Sequence, residues 1–117
     1  MIIYTSYFSR LKQLQQRGIT CISVAKSMPQ GILLPTLHEF VPSWDLIDSW
    51  KKGKITWTQY REIYWQQLAK LDRDEMISRI GSFSDCTALL CWEGLHKPCH
   101  RHIDAEWLDC GVKEFST

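Results

Sequence analysis

The segment that most constrains the fold of this chain is residues 87–92, Thr-Ala-Leu-Leu-Cys-Trp. Its apolar residues are consecutive rather than alternating, which is typical of a strand buried on both faces of a parallel sheet. Residues 2–7 and 20–25 are rich in β-branched and aromatic side chains, and both are predicted to be strands. A sheet buried on both faces needs covering layers, so the remaining segments are expected to supply helices.

Capping signals divide those remaining segments into five predicted helices. Thr56 and Gln59 have the spacing of a capping box at the start of the longest helix, and Asp72 and Glu75 repeat that spacing. The predicted helices begin at Ser9, Ser43, Thr56, Asp72 and Cys99, and glycines at 18, 53, 81 and 111 mark the ends of four of them.

Strands that alternate with helices predict an α/β fold, a single small domain over residues 1–117. We expect an open, mostly parallel sheet with helices on both faces and a short edge strand at 112–115. The unit over 2–25 should form a right-handed crossover with parallel strands. Ligands of such sheets bind at the carboxyl ends of the strands, which selects 5–7, 26–27 and 91–101 as the candidate site.

The composition argues against several kinds of partner. A formal net charge of +1 gives no support for a broad nucleic-acid surface, and the basic run at 51–54 is expected to complement a helix C-terminus. No apolar stretch is long enough to span a membrane, and the first residues do not resemble a signal peptide. We therefore expect a cytoplasmic protein whose five cysteines are reduced thiols.

The helix start at Cys99 is predicted to bind an anion. Free backbone N–H groups at a helix start attract negative charge, and the guanidinium of Arg101 suits a phosphate or carboxylate. Lys26, after the second strand, is a further candidate cation. The alternative is that Arg101 forms an ion pair with Glu93 or Glu106.

Three residues in this segment are candidates for catalysis. A helix N-terminus and a nearby cation favour the thiolate, which makes Cys99 a candidate nucleophile. His100 is a candidate acid or base, and Glu93 is a candidate general base or substrate ligand. The alternatives are that Cys91 and Cys99 only fill space and that Glu93 only pairs with Arg101.

Zinc is a further possibility because Cys91, Cys99, His100 and His102 are all residues that bind this metal. However, the paired short spacings of structural zinc sites are missing, so no metal site is predicted.

Aromatic residues at strand ends can stack on a planar ligand. Tyr7 and Trp92 occupy such positions, whereas Trp57 is expected to pack in the core. The predicted ligand-binding residues are therefore Ser6, Tyr7, Lys26, Cys91, Trp92 and Arg101.

The chain resembles the DUF488 family. The resemblance rests on Leu90-Cys91-Trp92-Glu93, on Cys99-His100-Arg101-His102 after a short gap, and on Ala105-Glu106-Trp107-Leu108. The opening Tyr4-Thr5-Ser6-Tyr7, the second strand and the helical region 44–71 resemble small prokaryotic and phage-type members. The resemblance implies an α/β domain with signature positions at Cys91, Glu93, Cys99, His100 and Arg101, and it implies no particular substrate or cofactor.

Three functions are compatible with these observations. The first is binding of, or action on, a nucleotide or other phosphate-bearing small molecule at the strand ends. The second is a redox or metal-linked regulatory module that uses Cys91 and Cys99. The third is a non-catalytic interaction domain that docks a partner through Trp44, Trp50 or Trp65.

Overall fold

The computed structural model describes residues 1–92 and 98–115. Its four described strands form one sheet in which every pairing is parallel, in the order β2-β3-β1-β4. The strands are β1 Ile2–Tyr7, β2 Thr20–Ser23, β3 Cys86–Cys91 and β4 Lys113–Glu114. The prediction of a small α/β fold is confirmed, and β3 is the strand predicted from the consecutive apolar residues.

Five α-helices cover the sheet within the described residues. They are α1 Leu11–Gln16, α2 Trp44–Lys51, α3 Trp57–Ala69, α4 Arg73–Phe83 and α5 His100–Leu108. Two short 3-10 turns, Phe8–Arg10 and His38–Phe40, complete the regular structure. None of the described helices is both long and apolar enough to cross a membrane.

The strand order determines where the helices lie. The connection from β1 to β2 runs in one direction across the sheet, and the connections to β3 and β4 run in the other. Right-handed connections therefore place α1 on one face and α2 to α5 on the opposite face. After β1 the chain crosses toward the β2 edge of the sheet, and after the neighbouring β3 it crosses toward the β4 edge. The strand order therefore reverses between β1 and β3.

The predicted caps of the central helices are confirmed. Ser43 accepts a hydrogen bond from the Leu46 N–H at 3.2 Å, and Asp72 accepts one from the Glu75 N–H at 3.1 Å. Thr56 and Gln59 form both bonds of the capping box. Local side-chain chemistry thus sets the starts of α2, α3 and α4.

Two predicted element ends differ from the structure. Gly81 does not end α4, which continues to Phe83. A Cβ atom at residue 81 would lie only 2.7 Å from the Sδ of Met1, so this glycine permits close packing instead of stopping the helix. Ser9 caps no helix, because it lies inside the 3-10 turn that precedes α1.

Candidate functional site

A cavity of about 440 Å³ opens at the carboxyl ends of β2 and β3. Its walls are largely aromatic and comprise Trp44, Trp50, Trp57, Tyr60 and Trp92. Cys91, at the end of β3, and Cys99, just before α5, belong to the buried part of the lining. The exposed lysines Lys26 and Lys51 belong to the outer part.

The aromatic rings of α2 and α3 form a continuous packed wall. Trp57 stacks on Tyr60 with ring centroids 4.8 Å apart, and Trp50 lies 5.3 Å from Trp57. Tyr60 in turn contacts the buried Tyr64. Trp57 is only half-buried and lines the cavity, although the sequence indicated core packing for it. The aromatic stripe of α3 is the signal that could have identified this wall.

Trp92 connects the ends of two strands. Its indole N–H donates a hydrogen bond of 2.8 Å to the carbonyl of Ser27, which follows β2. Its ring makes an edge contact with Phe8 at 5.4 Å, and half of the residue is exposed. Lys26 lies over the ring of Trp44. Three predicted ligand-binding residues, Lys26, Cys91 and Trp92, therefore line the cavity.

Cys91 and Cys99 lie next to each other in the lining of the cavity. Their sulfur atoms lie within bonding distance, and their Cα atoms are 7.7 Å apart. Cα atoms of native disulfides are usually about 4.4–6.8 Å apart. A disulfide of ordinary backbone geometry would therefore require the two segments to approach each other by roughly 1 Å.

Arg101 does not line the cavity but lies behind Cys91, fully buried. Its Nε and Nη2 donate to the two carboxylate oxygens of Glu114 at 3.1 and 2.9 Å. Its Nη1 donates to the Cys91 sulfur at 2.9 Å. Of the partners considered from sequence, Glu106 pairs with Arg61 instead, and Glu93 lies outside the described residues.

The carboxyl end of β1 is closed. Ser6 is fully buried, and its Oγ has no hydrogen-bond partner among the described residues. Tyr7 accepts a hydrogen bond from Arg10 at 2.9 Å, and the guanidinium of Arg101 lies 5.5 Å from its ring. The structure thus places Ser6 and Tyr7 outside the cavity, although the sequence placed them in one site with Lys26, Cys91 and Trp92.

His100 links the end of β2 to the cysteine pair. Its Nε2 is hydrogen-bonded to the carbonyl of Val24, and because a carbonyl only accepts, Nε2 carries the proton. Its Nδ1 lies 3.8 Å from the Cys99 sulfur. Burial, together with the nearby charge of Arg101, lowers the pKa of His100 to about 4. At neutral pH the ring is therefore uncharged, and Nδ1 is a hydrogen-bond acceptor.

A buried carboxyl group lies one helical turn after His100. The hydroxyl of Tyr64 donates to Asp104 Oδ1 at 2.6 Å, and the second oxygen has no partner among the described residues. Burial raises the pKa of Asp104 well above its usual value, and the hydrogen bond from Tyr64 opposes this shift. Asp104 was not among the residues predicted from sequence, although its spacing of four from His100 places both on one face of α5.

Within residues 1–92 and 98–115, no group of three or more His, Cys, Asp and Glu residues is arranged to hold a metal ion. Among the four residues considered for zinc, Cys91 and Cys99 form a sulfur pair, and the neutral imidazole of His100 lies beside it.

These features define a small parallel α/β domain with a cysteine pair at the inner end of an aromatic cavity. Residues 6–110 match a family model described as DUF488-N3a, the active DUF488-N3 subclade. The chain belongs to the DUF488 family, which confirms the resemblance found in the sequence. No curated protein and no solved structure matches the chain.

Proposed function

We propose that this domain binds a nucleotide-class ligand, a planar aromatic group that carries a phosphate, in the cavity at the ends of β2 and β3. The observation that carries the proposal is the convergence of five aromatic side chains and two lysines on one cavity. The description of the matching subclade as active also supports a functional site in this chain.

The size and the walls of the cavity favour a ring-shaped ligand. Small-molecule pockets commonly have volumes of about 300–1,000 Å³ and are lined mainly by apolar and aromatic groups. The cavity of about 440 Å³ falls in this range. Stacking of a base on an aromatic side chain contributes roughly 1–3 kcal/mol. The exposed faces of Trp44 and Trp92 are available for such stacking.

The lysines favour an anionic substituent on that ligand. Lys26 follows β2 and Lys51 ends α2, so the two cations reach the cavity from different elements. This assignment replaces Arg101 as the anion-binding residue, because the guanidinium of Arg101 is buried against Glu114 and Cys91.

Thermal-shift and calorimetric titrations with adenosine monophosphate, adenosine and inorganic phosphate test the proposal. We expect the nucleotide to stabilise the protein most, because it uses both the rings and the cations. Lys51→Ala should weaken nucleotide binding by up to about fivefold, the effect of losing one exposed charge contact. Lys52→Ala is the matched control, since Lys52 pairs with Asp48 and does not line the cavity. Equal effects of both variants would contradict the proposal.

The aromatic contribution has its own pair of variants. Trp57→Leu removes a ring from the cavity wall, and we expect it to weaken the binding of nucleotide and nucleoside alike. Trp65→Leu changes a similarly half-buried ring that packs against Arg61 outside the cavity. If Trp65→Leu weakens binding as much as Trp57→Leu, the ligand does not stack in this cavity.

A further inference from the structure

We propose that Cys91 and Cys99 form a thiol–disulfide exchange pair, in which Cys91 attacks as a thiolate held by Arg101 and Cys99 resolves the mixed disulfide. This activity goes beyond the binding of a nucleotide-class ligand. It rests on the two sulfurs and their immediate partners, and it holds whichever small molecule the outer cavity binds.

Cys91 has the surroundings of an attacking thiolate. Arg101 Nη1 lies 2.9 Å from its sulfur, and a cation at hydrogen-bond distance favours the thiolate over the thiol. The bidentate bond to Glu114 fixes the guanidinium in this position. Cys91 is only 1% exposed, and because it lines the cavity, a small disulfide would have to approach its sulfur from there.

Cys99 has the surroundings of a protonated thiol. Nδ1 of His100 lies 3.8 Å from its sulfur, within hydrogen-bond distance for an S–H donor. That ring is neutral at physiological pH, so it accepts an S–H hydrogen bond but offers no positive charge to a second thiolate. The pair is therefore expected to carry one proton.

The proposed reaction balances in two steps. The Cys91 thiolate attacks a small disulfide, RSSR, whose S–S bond breaks as a mixed disulfide forms and RS⁻ leaves. Cys99 then attacks the Cys91 sulfur and passes its proton through His100 Nδ1 to the second leaving group, RSH. The substrate gains two electrons and the cysteine pair loses two, so a small thiol reductant must regenerate the pair.

The charges around the pair favour anionic disulfides. The charged or titratable groups that face it or lie near it are Arg101 with Glu114, His100, His102, and Lys26 and Lys51 across the cavity. The aromatic walls favour rings. An aromatic disulfide with carboxylates, 5,5′-dithiobis(2-nitrobenzoate), is therefore a suitable probe, because its released thiolate is measured by absorbance.

The assay uses protein with Cys86→Ser and Cys110→Ser, which removes the two cysteines with exposed surface outside the pair. Cys21 is buried, and burial raises its pKa to about 11, so it should react slowly. We expect rapid release of two thiolates per chain and a Cys91–Cys99 bond in peptide mapping. Cys99→Ser should release one and retain the mixed disulfide on Cys91. Cys91→Ser should slow the first release at least tenfold.

Two results would overturn the proposal. If Cys91→Ser reacts as fast as the parent protein, Cys91 is not the attacking thiolate. If Cys99→Ser still releases two thiolates at the parent rate, Cys99 does not resolve the intermediate. Nucleotide stabilisation of the protein that retains Cys91 and Cys99 is measured in parallel. If this protein releases no thiolate but is stabilised by nucleotide, only the exchange pair is rejected, whereas rapid thiolate release without nucleotide stabilisation rejects only the ligand proposal.

The role of Arg101 predicts alkylation-rate changes of opposite sign in two variants that each remove one charge of the ion pair. At pH 6, Arg101→Gln should slow iodoacetamide alkylation of Cys91, and Glu114→Gln should accelerate it by removing the negative charge beside the guanidinium. Glu106→Gln is the matched control, because that carboxylate pairs with the distant Arg61. If Arg101→Gln does not fold, the alkylation rate of Cys91 in Glu114→Gln tests the role of Arg101 instead. Unchanged or slower alkylation in Glu114→Gln would reject the thiolate role of Arg101.

Discussion

The carboxyl ends of neighbouring strands in this sheet differ sharply. The ends of β2 and β3 open into an aromatic cavity, whereas Ser6 and Tyr7 at the end of β1 are buried near the ion pair between Arg101 and Glu114, and this second area is called the sealed region below. The first turn of α5 serves both regions. Cys99 and His100 line the cavity, and the next residue, Arg101, points away to β1 and β4. Successive residues of a helix point about 100° apart, so one helix start can supply two different environments.

This difference shows why a cation next to a site need not bind the ligand. Burying a charge is costly unless a partner satisfies it, and Glu114 satisfies Arg101 with two parallel hydrogen bonds. The positive charge of Arg101 therefore lies in the sealed region, and its contact with the lining of the cavity is the hydrogen bond to the sulfur of Cys91. The cavity is left with neutral rings, and its lysines lie in the exposed part of the lining.

The largest effect is expected from breaking the sealed region. Glu114→Ala removes both hydrogen bonds from a fully buried guanidinium and should lower the free energy of unfolding by about 3 kcal/mol. Chemical denaturation measures this loss. Glu106→Ala breaks a comparable pair that is exposed on the surface, and it should cost less than about 1 kcal/mol. Similar losses in both variants would show that burial does not distinguish the two pairs.

A second effect concerns the buried carboxyl group behind the cavity wall. Burial raises the pKa of Asp104 in the folded protein well above its usual 3.8, although the bond from Tyr64 opposes this shift. Above about pH 3.8, Asp104 loses its proton in the unfolded chain but keeps it in the folded protein. The contribution of Asp104 to the free energy of unfolding is therefore fully present below its pKa in the unfolded chain. It is lost as the pH rises toward its pKa in the folded protein.

Asp104→Asn removes this titration and keeps an oxygen that can accept the Tyr64 hydrogen bond. Relative to the parent protein, its stability should rise with pH above about 4, by at most about 1.4 kcal/mol per pH unit. Urea denaturation from pH 4 to 8 measures the difference. Asp85→Asn controls for the loss of an exposed carboxylate. A stability difference that does not change with pH would mean that Asp104 is not protonated in the folded protein.

The smallest effect is expected at the rim of the cavity. Trp92→Phe keeps an aromatic contact with Phe8 and removes the hydrogen bond to the Ser27 carbonyl. Because Trp92 is half-exposed, water can replace that bond, and the loss should be no more than about 1 kcal/mol. Thermal denaturation measures it. A loss as large as that of Glu114→Ala would remove the contrast between the two regions.

Sequence reasoning succeeded where structure follows from local chemistry. The caps at Ser43, Thr56 and Asp72 involve residues only three positions apart, so the sequence contains both partners. The central strand was recognisable because its consecutive apolar residues match burial on both faces. The expected location of a site at the strand ends also led to Lys26, Cys91, Trp92 and Cys99, which line the cavity that the structure shows there.

The sequence failed to identify contacts that depend on tertiary register. Glu114 meets Arg101 because β4 pairs with β1 in the register that aligns Thr5 with Glu114, and a strand of two residues carries little local signal. The aromatic wall depends similarly on how α2 and α3 pack over the sheet. The residue types were visible in the sequence, but their convergence was not.

The position of β1 between β3 and β4 has a consequence for how the chain acquires its structure during synthesis. Of the four described strands, the earliest in the chain is an interior strand, and its two neighbours lie at 86–91 and 113–114. The hydrogen bond from Thr5 to Glu114 spans 109 positions. The sheet therefore cannot be assembled strand by strand from the N-terminus, and most of the chain must emerge before β1 finds a partner. Such dependence on distant pairings is associated with slow folding, so the early chain spends this interval with its strand edges unpaired.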